Sequence, residues 1–329
     1  MPGPSDIRVN PFNNATNYVN LTERHIVPSV SPFVVRLNEV PEKQDPSNMQ
    51  MYYVDDTTGQ TTETALTEVA ATPGAGEFRP DYSTNAFDDT SWNTGLIEFS
   101  SSDAGKIIEV SYTATGTLAG VKTNRYPGWW LDRGDGSDGD FIPESNVTIS
   151  GLKQYKSVFI KAGVTVSVGG IVRICCQGAF INKGIITANG KGASAGEEGH
   201  YGGDGGAFAS SKPTVRGSII TLNDGNIDIL IRDGKISLGA GGQNNQFDAG
   251  GGNGGGTIQI VTSEYDNTGT ISANGNNGTA SNGYSGGGGG GGQVLVVCEK
   301  NLNSGAITAN GGTGNHVGGN GIAKIKILE

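Results

Sequence analysis

The stretch 274-NGNNGTASNGYSGGGGGGGQVLVV-297 carries seven consecutive glycines, Gly286 to Gly292, and runs straight into an apolar β-strand pattern. Heptaglycine by itself reads as a flexible linker. A linker separates two unlike units, yet the 37 residues after Gly292 repeat what stands before it. Whether the run is a hinge or a packed element decides the fold.

Four copies of one phrase recur: 184-GIITANG-190, 234-GKISLGAGG-242, 269-GTISANG-275 and 305-GAITANG-311, their first glycines 50, 35 and 36 residues apart. Turns at 182-NK, 266-DNT and 303-NS precede three of them, and apolar strands such as 171-IVRICC-176, 227-IDILI-231, 257-TIQIV-261 and 294-VLVV-297 precede the turns. A polar loop and a glycine run follow, the runs being 202-GGDGG-206, 251-GGNGGG-256, Gly286–Gly292 and 318-GGNG-321. A glycine run that returns at one phase of a repeat is a structural element. Ordering a residue costs roughly 1–2 kcal/mol, with glycine at the high end, and glycine buries no side chain in return. Backbone hydrogen bonds must compensate, as they can in packed polyproline II-type helices of three residues per turn. Asn253 and Asp204 interrupt two runs and must then point outward or fill a notch. The alternative is a set of loose loops between β-solenoid rungs.

Glycine also marks a boundary, with 13 of the 56 in residues 1–160 and 43 in 161–329. Residues 1–25 are polar and Asn-rich and read as an N-terminal arm. Residues 26–121 hold short period-2 segments, among them 33-FVVRL-37, 50-QMYYV-54, 60-QTTETALTEVA-70 and 95-GLIEFSSSDAGKIIEVSYTATG-116, split by Gly and Asp turns. That cadence predicts a small β-sandwich. Residues 122–145 form a junction rich in Trp, Asp and Gly, and 146–329 a glycine-rich β-repeat domain. The fold class expected is all-β, with solenoid-like strands and packed polyglycine-II-type runs.

The formal net charge of −10 and pI near 4.8 argue against nucleic-acid partners and against anionic membranes. The opening MPGPSDIRVN lacks the pattern of a signal peptide, and no run approaches a membrane helix, so synthesis in a cytoplasm without membrane insertion is expected. Cys175, Cys176 and Cys298 sit in apolar runs and read as buried free thiols.

Residues 73–116, with the cadence 73-PGAGEFRPDY-82 and 95-GLIEFSSSDAGKIIEVSYTATG-116, resemble a small β domain of phage tail and baseplate proteins. Residues 132–329, with 134-GDGSDG-139 followed by the ANG phrases and glycine runs, resemble the glycine-rich distal adhesins and tail fibres of tailed bacteriophages. The resemblance implies a virion protein of the phage tail. It implies an N-terminal domain bound to other tail or baseplate proteins, a homotrimer, and a polyglycine bundle whose tip loops meet a host surface glycan or outer-membrane protein.

Each polar loop carries a ring just before its glycines: His200 and Tyr201, Phe247, Tyr284, and His316. Stacked repeats would gather these rings on one edge as receptor-binding residues, or each ring would cap the adjacent glycine helix as packing. Gly286, Gly289 and Gly292 are the structural glycines of the longest run. In the junction, Asp132, Asp135, Asp138 and Asp140 alternate with glycine, a spacing that suits an oxygen-liganded cation such as Ca²⁺ or a solvated turn with Asx caps. Trp129 and Trp130 would plug neighbouring domains or form a sugar-stacking platform. No nucleophile, zinc or P-loop motif is present. Glu197 and Glu198 are the only acidic pair in the glycine-rich region that could serve as the two carboxylates of a polysaccharide depolymerase. The expectation is therefore a non-enzymatic adhesin, with a rigid spacer as the second reading and a depolymerase as the third.

Overall fold

The computed structural model describes residues 19–37, 41, 49–80, 95–114, 133–134, 136–196, 238–244, 249–281 and 284–328. Eight described strands build the first part: β1 (Val19–Ile26), β2 (Val34–Arg36), β3 (Gln50–Val54), β4 (Thr61–Ala65), β5 (Thr67–Glu68), β6 (Glu77–Pro80), β7 (Leu96–Phe99) and β8 (Ile107–Ala114). They form two four-stranded sheets, β1-β8-β3-β4 and β2-β7-β6-β5. The period-2 pattern turns Met51, Ile108, Val110 and Tyr112 of the first sheet and Val35, Phe78, Ile97 and Phe99 of the second into one buried cluster. β1 corrects the reading of 1–25 as an arm. Residues 19–25 are strand, because Val19–Ile26 finds a full-length antiparallel partner in β8.

After the junction come β9 (Asp140–Phe141), β10 (Val147–Tyr155), β11 (Ser157–Ile160), β12 (Thr165–Asn182), β13 (Ile185–Thr187), β14 (Thr257–Asn267), β15 (Thr270–Ser272), β16 (Ala280–Ser281), β17 (Tyr284–Ser285), β18 (Gln293–Asn303), β19 (Ala306–Thr308) and β20 (Ile322–Ile327). β16 and β17 make a small antiparallel pair; the others join one ten-stranded, nearly closed parallel sheet. The all-β expectation holds.

The registers show how the chain winds. Val166, Ile186, Ile271 and Ile307 lie level on a first side of the coil. Ile174, Ile260, Val296 and Ile325 lie level on a second. Val158, Phe180 and Tyr265 lie level on a third, where the Phe180 and Tyr265 rings stack at 5.8 Å. These columns point inward and form the largest core cluster. β12 extends well beyond the apolar strand expected at 171–176, and its 18 residues run along all three sides.

The recurring phrase now has a physical meaning. Its isoleucine is the inward residue of the first side, and Ala188, Ala273 and Ala309 are the buried residues at the corner that follows. The Asn189 carboxamide oxygen accepts the Asn274 N–H, and that of Asn274 accepts the Asn310 N–H, both at 2.7 Å. The preceding turns stack likewise, with Asn182 Nδ2 donating to Asn267 Oδ1 at 2.8 Å. Three copies stand in this ladder. Of the fourth, 234-GKISLGAGG-242, residues 234–237 lie outside the described residues, and Gly239 and Ala240 bond to glycine-rich segments.

At the corner after each ANG, the early turns pass directly through Gly151 or Gly169–Gly170. In the later turns the chain leaves the coil at Ala188, Ala273 and Ala309 and rejoins it at Thr257, Gln293 and Ile322. In the heptaglycine every N–H finds a carbonyl, and the acceptors alternate with period three. Gly286, Gly289 and Gly292 donate to Thr279, Asn276 and Ala273; Gly287 and Gly290 to Gln243 and Ala240; Gly288 and Gly291 to His316 and Gly319. Returning donors come from Gly252 to Gly287 O, Gly255 to Gly290 O and Gly312 to Gly289 O. All seven glycines are buried. A Cβ on Gly289 would lie 2.1 Å from Asn253 O, and one on Gly292 1.9 Å from Gly256 O. Asn253 is exposed, as expected, and its carboxamide accepts the Ala195 N–H at 3.1 Å.

The N-terminal sheets dock on the third side of the coil. Ile26, Val54 and Ile107 meet Phe159, Ala179 and Ile181 in a buried cluster. Gly59 at φ 70 closes the β3–β4 turn against Phe159, whose Cδ1 would stand 2.5 Å from any added Cβ. At the same seam lies a buried charge cluster. His25 Nε2 is 3.1 Å from Glu23 Oε2, and Nδ1 is 3.6 Å from Glu264 Oε1. These are charge contacts without hydrogen-bond alignment. Glu264 also accepts the Ile26 N–H at 2.8 Å and faces Lys300 at 3.7 Å, while the Tyr112 hydroxyl donates to Glu23. Burial alone would lower the His25 pKa; the charges of Glu23 and Glu264 outweigh it and raise it to about 9. The Glu264 carboxyl is held low, against burial, by His25 and Lys300.

Two outcomes follow from this packing. Gly289→Leu is expected to destabilise the chain by about 1–3 kcal/mol, read by urea denaturation, because backbone fills the space its side chain needs. A hinge would tolerate the change. For His25, a raised folded pKa means a contribution fully present below the unfolded value of 6.5 and lost as pH rises through about 9. The melting temperature of the wild type should therefore fall more steeply than that of His25→Gln between pH 7 and pH 10, and the two curves should converge at the alkaline end.

Candidate functional site

The outward excursions end together. Thr279 N–H donates to Gly250 O and Gly250 N–H to Thr279 Oγ1, both at 2.8 Å. Asn315 N–H donates to Gly286 O at 3.0 Å, and Gly278 N–H to Thr313 O at 2.7 Å. These bonds bring Gly250, the β16–β17 pair and the loop around 313–317 to one tip. Each loop leaves and returns on backbone held by glycine segments, so its base is fixed by hydrogen bonds rather than by its own sequence.

Of the ring residues singled out in the sequence, Tyr284 and His316 are brought to this tip. Tyr284 is 48% exposed on β17, and His316 is exposed beside Val317, itself 66% exposed. Gly286, two residues after Tyr284, accepts from the residue before His316, so the two loops touch at their bases. His200, Tyr201 and Phe247 lie outside the described residues. Neither Tyr284 nor His316 is buried against the glycine run it precedes.

Asp138 and Asp140 hold structure. Asp138 Oδ2 accepts the Gln154 N–H at 2.7 Å, and Asp140 Oδ1 accepts the Ser157 hydroxyl at 2.6 Å. Both tie the Gly-rich turn to the first turn of the coil. Asp132, Asp135, Trp129, Trp130, Glu197 and Glu198 lie outside the described residues, as do Asp204 and the run 202–206. Among the described residues no three His, Cys, Asp or Glu side chains gather as metal ligands.

The three cysteines are buried and free. Burial pushes the thiols of Cys176 and Cys298 up to about 12, which keeps them protonated and inert near neutral pH. The Tyr155 hydroxyl is pushed up to about 12 by burial and by Asp138. A cleft of about 290 Å³ lies not at the tip but between β19 and β20. Among the described residues no helix is long and apolar enough to cross a membrane.

The His25 cluster was not visible in the sequence. Its partners sit two residues before it and far along the chain on β14 and β18, and no local motif marks them.

Scans of protein-family models, curated proteins and solved structures give no match to this chain.

Because Tyr284 and His316 are exposed on loops anchored by backbone, Tyr284→Ala and His316→Ala should each change stability by less than about 0.5 kcal/mol in urea denaturation. A larger loss would mark the rings as packing caps.

Proposed function

We propose that this chain is a bacteriophage tail fibre or baseplate-associated protein that recognises the host cell surface through the loops at the tip of its glycine bundle. The observation that carries the reading is the period-three hydrogen bonding of Gly286–Gly292 to neighbouring extended segments, which makes a rigid stalk of polyglycine-II type with its loops level at one end. A stalk built from backbone leaves the loop sequences free to vary, as recognition of changing surfaces requires. Tyr284 offers a flat amphipathic ring, and His316 and Asn315 offer polar groups beside it, a set suited to a surface glycan or an outer-membrane protein.

In this reading the two N-terminal sheets form a β-sandwich that attaches to other tail or baseplate proteins. The resemblance noted in the sequence adds a homotrimer, a location in the virion tail and no catalytic role. The buried seam around His25 suits a particle component, because it couples the attachment module stiffly to the coil. The second reading, a rigid spacer without adhesion, shares the stalk and differs only at the tip.

The test compares adsorption of particles carrying wild-type protein with particles carrying Tyr284→Ala/His316→Ala. Adsorption to host cells is expected to fall at least about tenfold, equivalent to roughly 1.4 kcal/mol of binding, with particle assembly unchanged. Normal adsorption by intact particles would favour the spacer.

A further inference from the structure

Each turn of the parallel coil is joined to the next through strand edges, and the last turn ends in an open one. In β20, Ile322 N–H donates to Gly292 O at 2.9 Å and Leu328 N–H to Cys298 O at 2.8 Å. Backbone groups of a strand alternate in direction, so Ile322, Lys324, Lys326 and Leu328 face β18, while Ala323, Ile325 and Ile327 direct theirs to the far side. In β19, the Ala306 N–H and the Thr308 carbonyl are bonded toward Gly269 and Ala273, which turns the Ile307 groups to the same far side. Among the described residues no strand pairs with β19 or β20 there.

The side chains at this edge are the last of the inward columns. Ile307, Ala323 and Ile325 are only partly buried, and Ile327 is 47% exposed. Between the two strands lies the cleft of about 290 Å³, bordered by Ile307, Thr308, Asn310, Asn320 and Ile322. The opposite end of the coil is covered over its third side. There β9 pairs with β11, Asp138 N–H donates to Gln154 O at 2.9 Å, and Lys156 N–H donates to Gly139 O at 2.8 Å. Stacked repeats require a cap at each end, and among the described residues the first turn carries one over its third side while β19 and β20 carry none.

We propose that the open edge formed by β20 and β19 is a docking site for one extended strand of a partner protein, with acidic side chains at alternate positions. The added strand would hydrogen-bond to Ala323, Ile325 and Ile327 as a further turn of the coil does, and cover the exposed end of the core. Charge sets the partner's chemistry. Lys324 and Lys326 are the charged side chains of β20 and stand on its outward face, where a neighbouring strand's carboxylates would lie beside them. A second copy fits poorly. Two β20 edges paired across a two-fold axis would set these lysines against their counterparts, and head-to-tail stacking would meet β9 on the first turn. The site is independent of the tip loops and of the host-recognition reading.

The experiment uses the full chain and two fluorescein-labelled hexapeptides, one alternating Glu and Val and the other Lys and Val. Binding is read by anisotropy, and amide exchange by NMR. The acidic peptide is expected to bind at least about tenfold more tightly than the basic one, a difference of roughly 1.4 kcal/mol. It should slow exchange at Ala323, Ile325 and Ile327, and leave Lys324 and Lys326, already bonded to β18, unchanged. Ala323→Pro removes an edge N–H without removing a bond to β18, and should abolish binding at unchanged melting temperature. Lys324→Glu/Lys326→Glu should reverse the peptide preference, and this holds the proposal to account should the proline variant fail to fold. Absence of binding, equal affinity for both peptides, or protection outside β19 and β20 would overturn it. Self-association of the wild type that disappears in Ala323→Pro would overturn it too, and assign the edge to a second copy.

Discussion

The second half of this protein rests on hydrogen bonds between backbones that approach more closely than any Cβ permits. In the heptaglycine each N–H has its own carbonyl, and the acceptors rotate among three neighbouring segments. A net gain of about 0.5–1.5 kcal/mol per bond is of the same order as the entropy lost in ordering each glycine. The balance closes only when nearly every donor is used, which explains why the excursions come in a bundle. A single run would leave its donors to water and remain a linker.

The parallel coil supplies the register that makes this possible. Its three inward columns fix the height of each turn, and the Asn ladders fix where each excursion leaves and returns. Inward isoleucine and corner alanine are therefore not decoration of the glycine repeat but its alignment. The same winding carries the third side to the N-terminal sheets, where apolar packing around Phe159 and the charges around His25 join two unlike architectures. Breaking one partner of that cluster leaves a charge buried without its counterpart, which is why the seam is sensitive to pH and stiff near neutrality.

Much of this was legible along the chain. The period-2 segments of 95–116 mark β7 and β8, and the phrase ending in ANG marks three of the coil's corners. The recurrence of glycine at one phase argued for packing over a hinge, and Asn253 points outward as an interruption of a packed run must. Other features were not legible. The phrase at 234–242 has the right letters, yet its described part lies in the bundle, because register is decided by which strand finds a neighbour. Residues 19–25 look like a polar arm, since Thr22, Glu23, Arg24 and His25 hide a strand that pairs with β8, where Arg24 meets Glu109 and His25 meets Glu264 of β14. Tyr284 and His316 were recognisable as loop rings, but their exposure and their meeting at one tip depend on backbone bonds between residues tens of positions apart.

By itself the sequence determined what is local or periodic: an all-β chain, inert buried thiols, a repeat whose glycines must be used, and loops of polar residues carrying rings. Tertiary structure alone decided what depends on who lies next to whom. It set the three-sided winding, the meeting of the loops at one tip, the edge of β20 that no described strand covers, and the pairing of His25 with a carboxylate on β14. The physical reason is the same in each case. Periodicity states which face a residue shows, whereas hydrogen-bond acceptors, buried counter-charges and free strand edges are supplied by other parts of the chain, and they exist only once it has folded.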